Sequence, residues 1–187
     1  MAGWLRLARG IDGTTTAVGT WFSWLSVVMV LLGAYNAVVR YLGRYLGTHL
    51  SSNAYIELQW YMFSLLFLMG AAYTLRQNRH VRVDVIYGRL RPRARAWIDL
   101  AGTVLFLIPF SVSAIVLTWP PVRNSWAVLE VSPDPGGLPR YPIKSMILVA
   151  FALLLLQGAA ETIRAVAAIR GHGPGDAETE RARGGGG

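Results

Sequence analysis

The chain has 187 residues, of which 53% are hydrophobic and only 15% are charged, and its net charge is +8. Soluble domains are typically about 25% charged, so this composition favours a polytopic helical membrane protein. The basic excess does not indicate nucleic-acid binding, because most arginines flank apolar runs and no basic patch is interleaved with stacking aromatic residues. The chain has no cysteine, which excludes disulfides and thiolate metal sites.

Residues 1–16 are predicted to be an amphipathic segment on the cytoplasmic surface of the membrane. The apolar residues that would face the bilayer are Trp4, Leu5, Leu7 and Ile11. Arg6 and Arg9 lie between them, a pattern typical of interfacial helices. A signal peptide is the alternative, but the apolar run that follows is too long and no small-residue cleavage motif closes it. We therefore expect no cleavage.

Four apolar runs are long enough to cross a hydrocarbon layer of about 30 Å as helices. They are residues 17–39, 58–75, 96–119 and 143–163. Pro92 is well placed to begin the third helix, and Pro109 predicts a kink within it. Residues 40–56 and 120–142 are expected to be outer loops, the first with a short interfacial helix. The predicted fold is an all-α membrane protein with four transmembrane helices.

The orientation is predicted from the loop at residues 76–96, which holds seven arginines and a single acidic residue, Asp84. Arginine-rich loops stay in the cytoplasm, which places both termini there as well. A short surface helix is expected in this loop. The predicted organisation is a cytoplasmic segment at 1–16, a four-helix domain at 17–166, and a disordered cytoplasmic tail at 167–187 that is rich in glycine and charge.

Polar residues within the spans each have a structural and a functional interpretation. Asn36 is interpreted first as an interhelical hydrogen-bond partner. Asp99 and Glu161 lie near span ends, where a salt bridge with the arginine-rich loop is the simpler interpretation; for Asp99, a coupling-ion ligand is the alternative. Because no ionisable residue lies deep in a span, the chain is not expected to carry a solute unaided.

We expect no enzymatic activity and no bound cofactor. The three histidines, at positions 49, 80 and 172, fall outside the predicted spans, so a bis-histidine haem site is not expected. His80 and Asp84 have helical ligand spacing, but metal sites usually cluster three or four ligands, so a stabilising contact is the preferred interpretation. No nucleophile elbow, P-loop or dinucleotide-binding motif occurs.

Residues 57–85 read ELQWYMFSLLFLMGAAYTLRQNRHVRVDV. This stretch resembles the core of the small membrane subunit, of the DctQ type, of tripartite ATP-independent periplasmic (TRAP) transporters. The resemblance is carried by Glu57 and Trp60, by Gly70-Ala71-Ala72, and by His80-Val81-Arg82-Val83-Asp84. The segment SPDPGGLP at 132–139 also resembles the outer loop of one branch of the family. The resemblance covers about residues 15–170.

The resemblance implies a subunit of a complex in the bacterial inner membrane. Its expected partners are a large permease subunit of the DctM type and a periplasmic solute-binding protein of the DctP type. Uptake of organic acids, including dicarboxylates, would be driven by sodium, and the small subunit would brace the static scaffold of the large one. Candidate contacts with a partner, or locks for the chain's own loops, are Glu57, Trp60, His80, Arg82 and Asp84. The alternative is a four-helix membrane anchor of a non-transport complex, such as a redox enzyme.

Overall fold

The computed structural model describes residues 2–47, 52–77 and 90–171. Its helices are α1 (Ala2–Leu46), α2 (Asn53–Arg76), α3 (Pro92–Gly102), a π-helical segment (Thr103–Leu107), α4 (Ile108–Ala127) and α5 (Tyr141–Ile169). Four helical stretches of these described ranges are long and apolar enough to cross a membrane, with α3, the π segment and α4 forming one of them. The predicted all-α, four-span architecture is confirmed, while the orientation of the termini stays a prediction.

Helix α1 is continuous from Ala2 to Leu46, so no helix boundary separates the expected surface segment at 1–16 from the first span. At about 1.5 Å per residue it is about 67 Å long, more than twice the thickness of a hydrocarbon layer. Its buried residues are Ala8, Thr15, Gly19, Asn36 and Gly43. These positions fit a seven-residue repeat, the pattern of helices that pack with a left-handed supercoil. A small or polar seam therefore faces the bundle.

Helices α1 and α2 pack closely and antiparallel because glycines remove side chains at their contact. A Cβ atom on Gly19 would lie 2.5 Å from Cγ of Tyr73. Gly33 lies directly against the side chain of Gln59, whose Nε2 donates to the carbonyl of Met29 at 3.5 Å. Gln59 therefore packs between the two helices, as small residues at membrane helix contacts allow.

Helix α5 is the centre of the bundle and packs against every other described helix. Its buried residues are small or polar and are Ala150, Gln157, Gly158, Ala160, Ala165 and Ala167. Gly158 permits the third span to approach, since a Cβ there would lie 3.0 Å from the side chain of Leu107. Membrane helices lack the hydrophobic driving force that packs soluble helices, and small residues allow the close van der Waals contact that replaces it.

The third span contains a π-helical segment immediately before Pro109, the residue at which the sequence predicts a kink. The Ile108 N–H donates to the carbonyl of Thr103, a π-helical bond that marks the Thr103–Leu107 segment. Pro92 begins the span, as expected. The expected loop at 120–142 begins later, because α4 continues through Pro120 and Pro121 to Ala127. Neighbouring helices and side chains make proline tolerable inside membrane helices.

Helix α4 ends in a Schellman motif that places a leucine in the left-handed region. Leu129 has a φ of 46°. Its N–H donates to the carbonyl of Trp126 at 3.3 Å, and the N–H of Glu130 donates to the carbonyl of Ser125 at 2.9 Å. Glycine is the usual residue at this position because a Cβ atom there costs about 1–2 kcal/mol.

Candidate functional site

Polar side chains tie the helices together in two clusters, one at each end of the bundle. We call the end where α2 and α5 begin the loop end, and the end where α1 begins and α5 finishes the terminal end. Along α2, Glu57 in the loop-end cluster and Arg76 in the terminal-end cluster are about 28 Å apart, close to the hydrocarbon thickness of about 30 Å. The two clusters therefore mark the borders of the apolar layer.

The layer between the clusters is free of charge. No Asp, Glu, Lys, Arg or His occurs in residues 17–39, 58–75, 100–122 or 145–160. Ionisable side chains inside the bilayer are costly and usually mark ion or solute pathways. The polar side chains that are buried within these four segments, such as Asn36 and Gln157, are uncharged.

Glu57 anchors the loop-end cluster. It lies in the second turn of α2 and is only 6% exposed. Its Oε1 accepts a hydrogen bond from the hydroxyl of Ser132, and its Oε2 accepts one from the backbone N–H of Leu138 at 2.6 Å. Because a buried carboxylate must be paired or hydrogen-bonded, Glu57 fixes the loop at 132–138 to the start of α2.

The loop that Glu57 holds has its own backbone pairing. Ser132 N–H donates to the carbonyl of Leu138 at 3.1 Å, and Arg140 N–H donates to the carbonyl of Glu130 at 2.8 Å. Gly136 supplies the positive φ of 73° that the turn requires. The segment that binds Glu57 is therefore a turn stabilised by its own backbone hydrogen bonds.

Two further hydrogen bonds attach this loop to α2. Asn53 Nδ2 donates to the carbonyl of Pro135 at 3.2 Å, and the Tyr61 hydroxyl donates to the carbonyl of Pro139 at 3.2 Å. Together with Glu57 they hold the loop along the first turns of the helix. The Pro- and Gly-rich segment that the sequence marks as irregular is therefore closely held at several points.

The loop end also ties α4 to α5. Trp126 Nε1 donates to Oγ of Ser145 at 2.7 Å, and its ring lies 4.6 Å from that of Tyr141. Glu130, in the loop, forms a salt bridge with Lys144 of α5. The hydrogen bond from Lys144 lowers the pKa of the Glu130 carboxyl below its ordinary value.

Asp12 is the centre of the terminal-end cluster and joins three helices. Its Oδ2 accepts a hydrogen bond from Nη1 of Arg164 at 2.6 Å, and its Oδ1 accepts one from Nε2 of Gln157 at 3.1 Å. Nε of Arg76 lies 3.7 Å from Oδ1, and Arg76 also donates to the hydroxyl of Thr16. One carboxylate from α1 thus binds groups from α2 and α5.

The charges of the terminal-end cluster balance. Arg164 Nη2 also donates to Glu161 at 2.6 Å, so two guanidinium groups face two carboxylates. Among the described residues, Glu161 pairs with Arg164 within its own helix; most of the arginine-rich loop, its expected partner, lies outside them, so that pairing stays a prediction. One arginine of the predicted 76–96 loop, Arg76, joins the cluster, and its partner is Asp12.

The structure places two of the five candidate residues. Glu57 lies in the loop-end cluster, whereas Trp60 is 69% exposed on the surface of α2. His80, Arg82 and Asp84 lie outside the described residues. Sequence reasoning missed Asp12 and Arg164. A signal was present on α5, where Gln157, Glu161 and Arg164 share one helical face by spacing alone.

Residues 29–168 match the protein family described as tripartite ATP-independent periplasmic transporters, DctQ component. The match covers three-quarters of the chain and includes Glu57, the loop at 132–138 and both Gln157 and Arg164, while Asp12 precedes it. No curated protein and no solved structure matches the chain.

Proposed function

The chain belongs to the DctQ component family of tripartite ATP-independent periplasmic transporters, and on that premise we propose a specific role for it. It is the small membrane subunit of a sodium-driven, binding-protein-dependent transporter for organic acids in the bacterial inner membrane. It braces the scaffold of a large DctM-type permease subunit, and a DctP-type periplasmic protein delivers the solute.

The observation that carries this proposal is the contrast between the polar clusters at the two ends of the helix bundle and the uncharged helical segments between them. At the two borders of the apolar layer, Glu57 holds the loop at 132–138 to α2 and Asp12 joins α1 to α5. The four segments between those borders contain no Asp, Glu, Lys, Arg or His, whereas secondary carriers place coupling-ion and solute sites near the middle of the bilayer. This arrangement supports a rigid frame for another subunit's moving parts.

The surroundings of Glu57 and Trp60 also support different roles for the candidate residues. The carboxylate of Glu57 is occupied by the chain's own loop, so its role is to lock that loop. Trp60 projects from α2 and is available to a partner; exposed tryptophans are frequent anchors of protein interfaces. We propose that Trp60, together with His80, Arg82 and Asp84, contacts the large subunit.

Co-purification tests the proposal. The chain, tagged for affinity capture, is expressed together with a DctM-type large subunit, and the membranes are extracted in mild detergent. We expect the large subunit to co-elute in a constant ratio. If the tagged chain elutes alone, as a folded protein, the assignment as a bracing subunit is wrong.

Two pairs of variants then test the contact residues. Trp60→Ala and the charge reversal Asp84→Lys are expected to reduce recovery of the large subunit. The matched controls are Phe106→Ala, which truncates a side chain that is 74% exposed on the third span, and Asp134→Lys, which reverses an exposed charge in the loop. Unchanged recovery and uptake with Trp60→Ala or Asp84→Lys would remove that residue from the contact surface.

A further inference from the structure

The turn that follows α4 carries an exposed apolar patch with an unusual backbone. Val128, Leu129 and Val131 are 63%, 60% and 58% exposed. We propose that these three side chains insert into the boundary between headgroups and acyl chains of the leaflet at the loop end. The turn would act as a fixed anchor that sets the depth of the subunit in the bilayer.

The backbone at Leu129 is the first argument. Its left-handed conformation, at φ 46°, is disfavoured for a branched side chain and would be relaxed by glycine. Burial in the protein core does not compensate for this strain, because most of the side chain is exposed. A strained residue whose side chain has no internal role indicates a role outside the molecule.

The surroundings of the patch hold it in one orientation. Glu130, between Leu129 and Val131, turns towards the protein and pairs with Lys144. On the other side of Val131, Ser132 is bound by Glu57. With these polar neighbours directed inwards, the apolar side chains face away from the bundle, as in a preorganised binding surface.

The depth of the patch identifies the membrane as its occupant. Trp126 lies two residues before the patch, packs on Tyr141 and donates to Ser145. Tryptophan and tyrosine concentrate at the headgroup level of membranes. The patch also continues the exposed apolar surface of the third span, where Leu117 is 75% exposed. The patch therefore extends the apolar surface of a membrane-spanning helix towards the interface.

The charges beside the patch do not require an anionic lipid. Glu130 forms a salt bridge with Lys144, and Arg140 lies close to the carboxylates of Glu130 and Glu57. These two acidic and two basic groups balance, so apolar contact provides the attraction. Insertion is therefore expected to be the same in bilayers of phosphatidylcholine alone and in bilayers that also contain phosphatidylglycerol.

Because the chain has no cysteine, single-cysteine variants can be labelled without background. The full-length chain with Val131→Cys carries an environment-sensitive NBD label in phosphatidylcholine nanodiscs, and Asp134→Cys is the control in the same loop. We expect the label at 131 to be quenched by lipids bearing a nitroxide near the headgroup and protected from aqueous iodide. The label at 134 is expected to behave in the opposite way. Equal iodide quenching at both positions would overturn the proposal.

A second variant separates anchoring from folding. Leu129→Gly, introduced beside Val131→Cys, relieves the backbone strain and removes the central apolar side chain. We expect the melting temperature to be kept or raised, while nitroxide quenching at 131 falls at least twofold. Unchanged quenching would overturn the proposal. It would also be overturned if protection of the label from iodide arises only after the large subunit is bound, because the occupant would then be a protein.

Discussion

Arg164, near the end of α5, donates to Asp12, near the start of α1, with 2.6 Å between Nη1 and Oδ2. The same carboxylate accepts a hydrogen bond from Gln157 and lies 3.7 Å from Nε of Arg76. A residue that precedes the apolar part of the first span therefore holds the terminal ends of three helices together.

Asp12→Asn is expected to loosen this end of the bundle. The substitution removes the charge that faces Arg164 and Arg76 and leaves both guanidinium groups without their shared partner. Hydrogen bonds to charged groups contribute about 1.5–3 kcal/mol, so the melting temperature in detergent should fall by several degrees.

Glu161→Gln is the matched control for Asp12→Asn. It removes one negative charge that also faces Arg164, but Glu161 and Arg164 lie in the same helix, α5, at i, i+3 spacing. Such pairs on helices contribute only about 0.2–0.5 kcal/mol. If both variants lower the melting temperature equally, Asp12 is not the tie between helices.

Glu57→Gln is expected to release the loop at 132–138. The carboxylate accepts from both Ser132 and Leu138 N–H, and an amide has only one oxygen with which to replace it. Hydrogen exchange measured by mass spectrometry should show amides in this loop exchanging about ten times faster, which corresponds to roughly 1.4 kcal/mol of lost protection. Exchange in α5 serves as the internal control and should not change. If the loop amides of the variant exchange as slowly as those of the wild type, Glu57 does not hold the loop in place.

Gly19→Ala and Gly70→Ala should have opposite effects. A Cβ on Gly19 would lie 2.5 Å from the Tyr73 ring, whereas nothing lies within 4 Å of a Cβ on Gly70. Overpacking costs about 1–3 kcal/mol, while replacing a helical glycine by alanine otherwise gains about 1 kcal/mol. We expect a lower melting temperature for Gly19→Ala and an equal or higher one for Gly70→Ala. Equal values for the two variants would show that α1 and α2 are not in close contact at Gly19.

The salt bridge between Glu130 and Lys144 should make stability depend on pH in the acidic range. Lys144 lowers the pKa of Glu130 in the folded state, so the stabilisation is complete above the unfolded-state pKa of about 4.3. It is lost as the pH falls through the folded-state pKa. Lys144→Gln should therefore melt below the wild type at neutral pH, and the difference should close on acidification. A difference that is independent of pH would rule out this pairing.

The helix count could be predicted from the sequence because a bilayer demands long uncharged runs, and residues 58–75 and 143–163 fall within α2 and α5. Helix ends were harder to predict. Pro120 and Pro121 indicated a loop, but α4 continues beyond them to Ala127. The low helix propensity of proline reflects the free energy that it costs within an isolated helix, and packing against α5 compensates for that cost.

The contacts at the two clusters could not be predicted from spacing. Glu57 and the segment at 132–139 are each recognisable in the sequence, but their hydrogen bonds join positions up to 81 residues apart. Asp12 carries no such signal, because a lone acidic residue in a basic terminal segment resembles a surface residue. Its importance follows only from the continuity of α1, which brings it beside Arg164.

Transport assays in proteoliposomes test the central claim most directly. The large subunit, the binding protein and a sodium gradient are held constant, and uptake of the organic acid is measured with this chain, without it, and with this chain as the sole membrane protein. We predict sodium-dependent uptake when both membrane subunits are present, strongly reduced uptake without this chain, and none with this chain alone. Solute uptake by this chain alone on the sodium gradient would contradict its assignment as a frame.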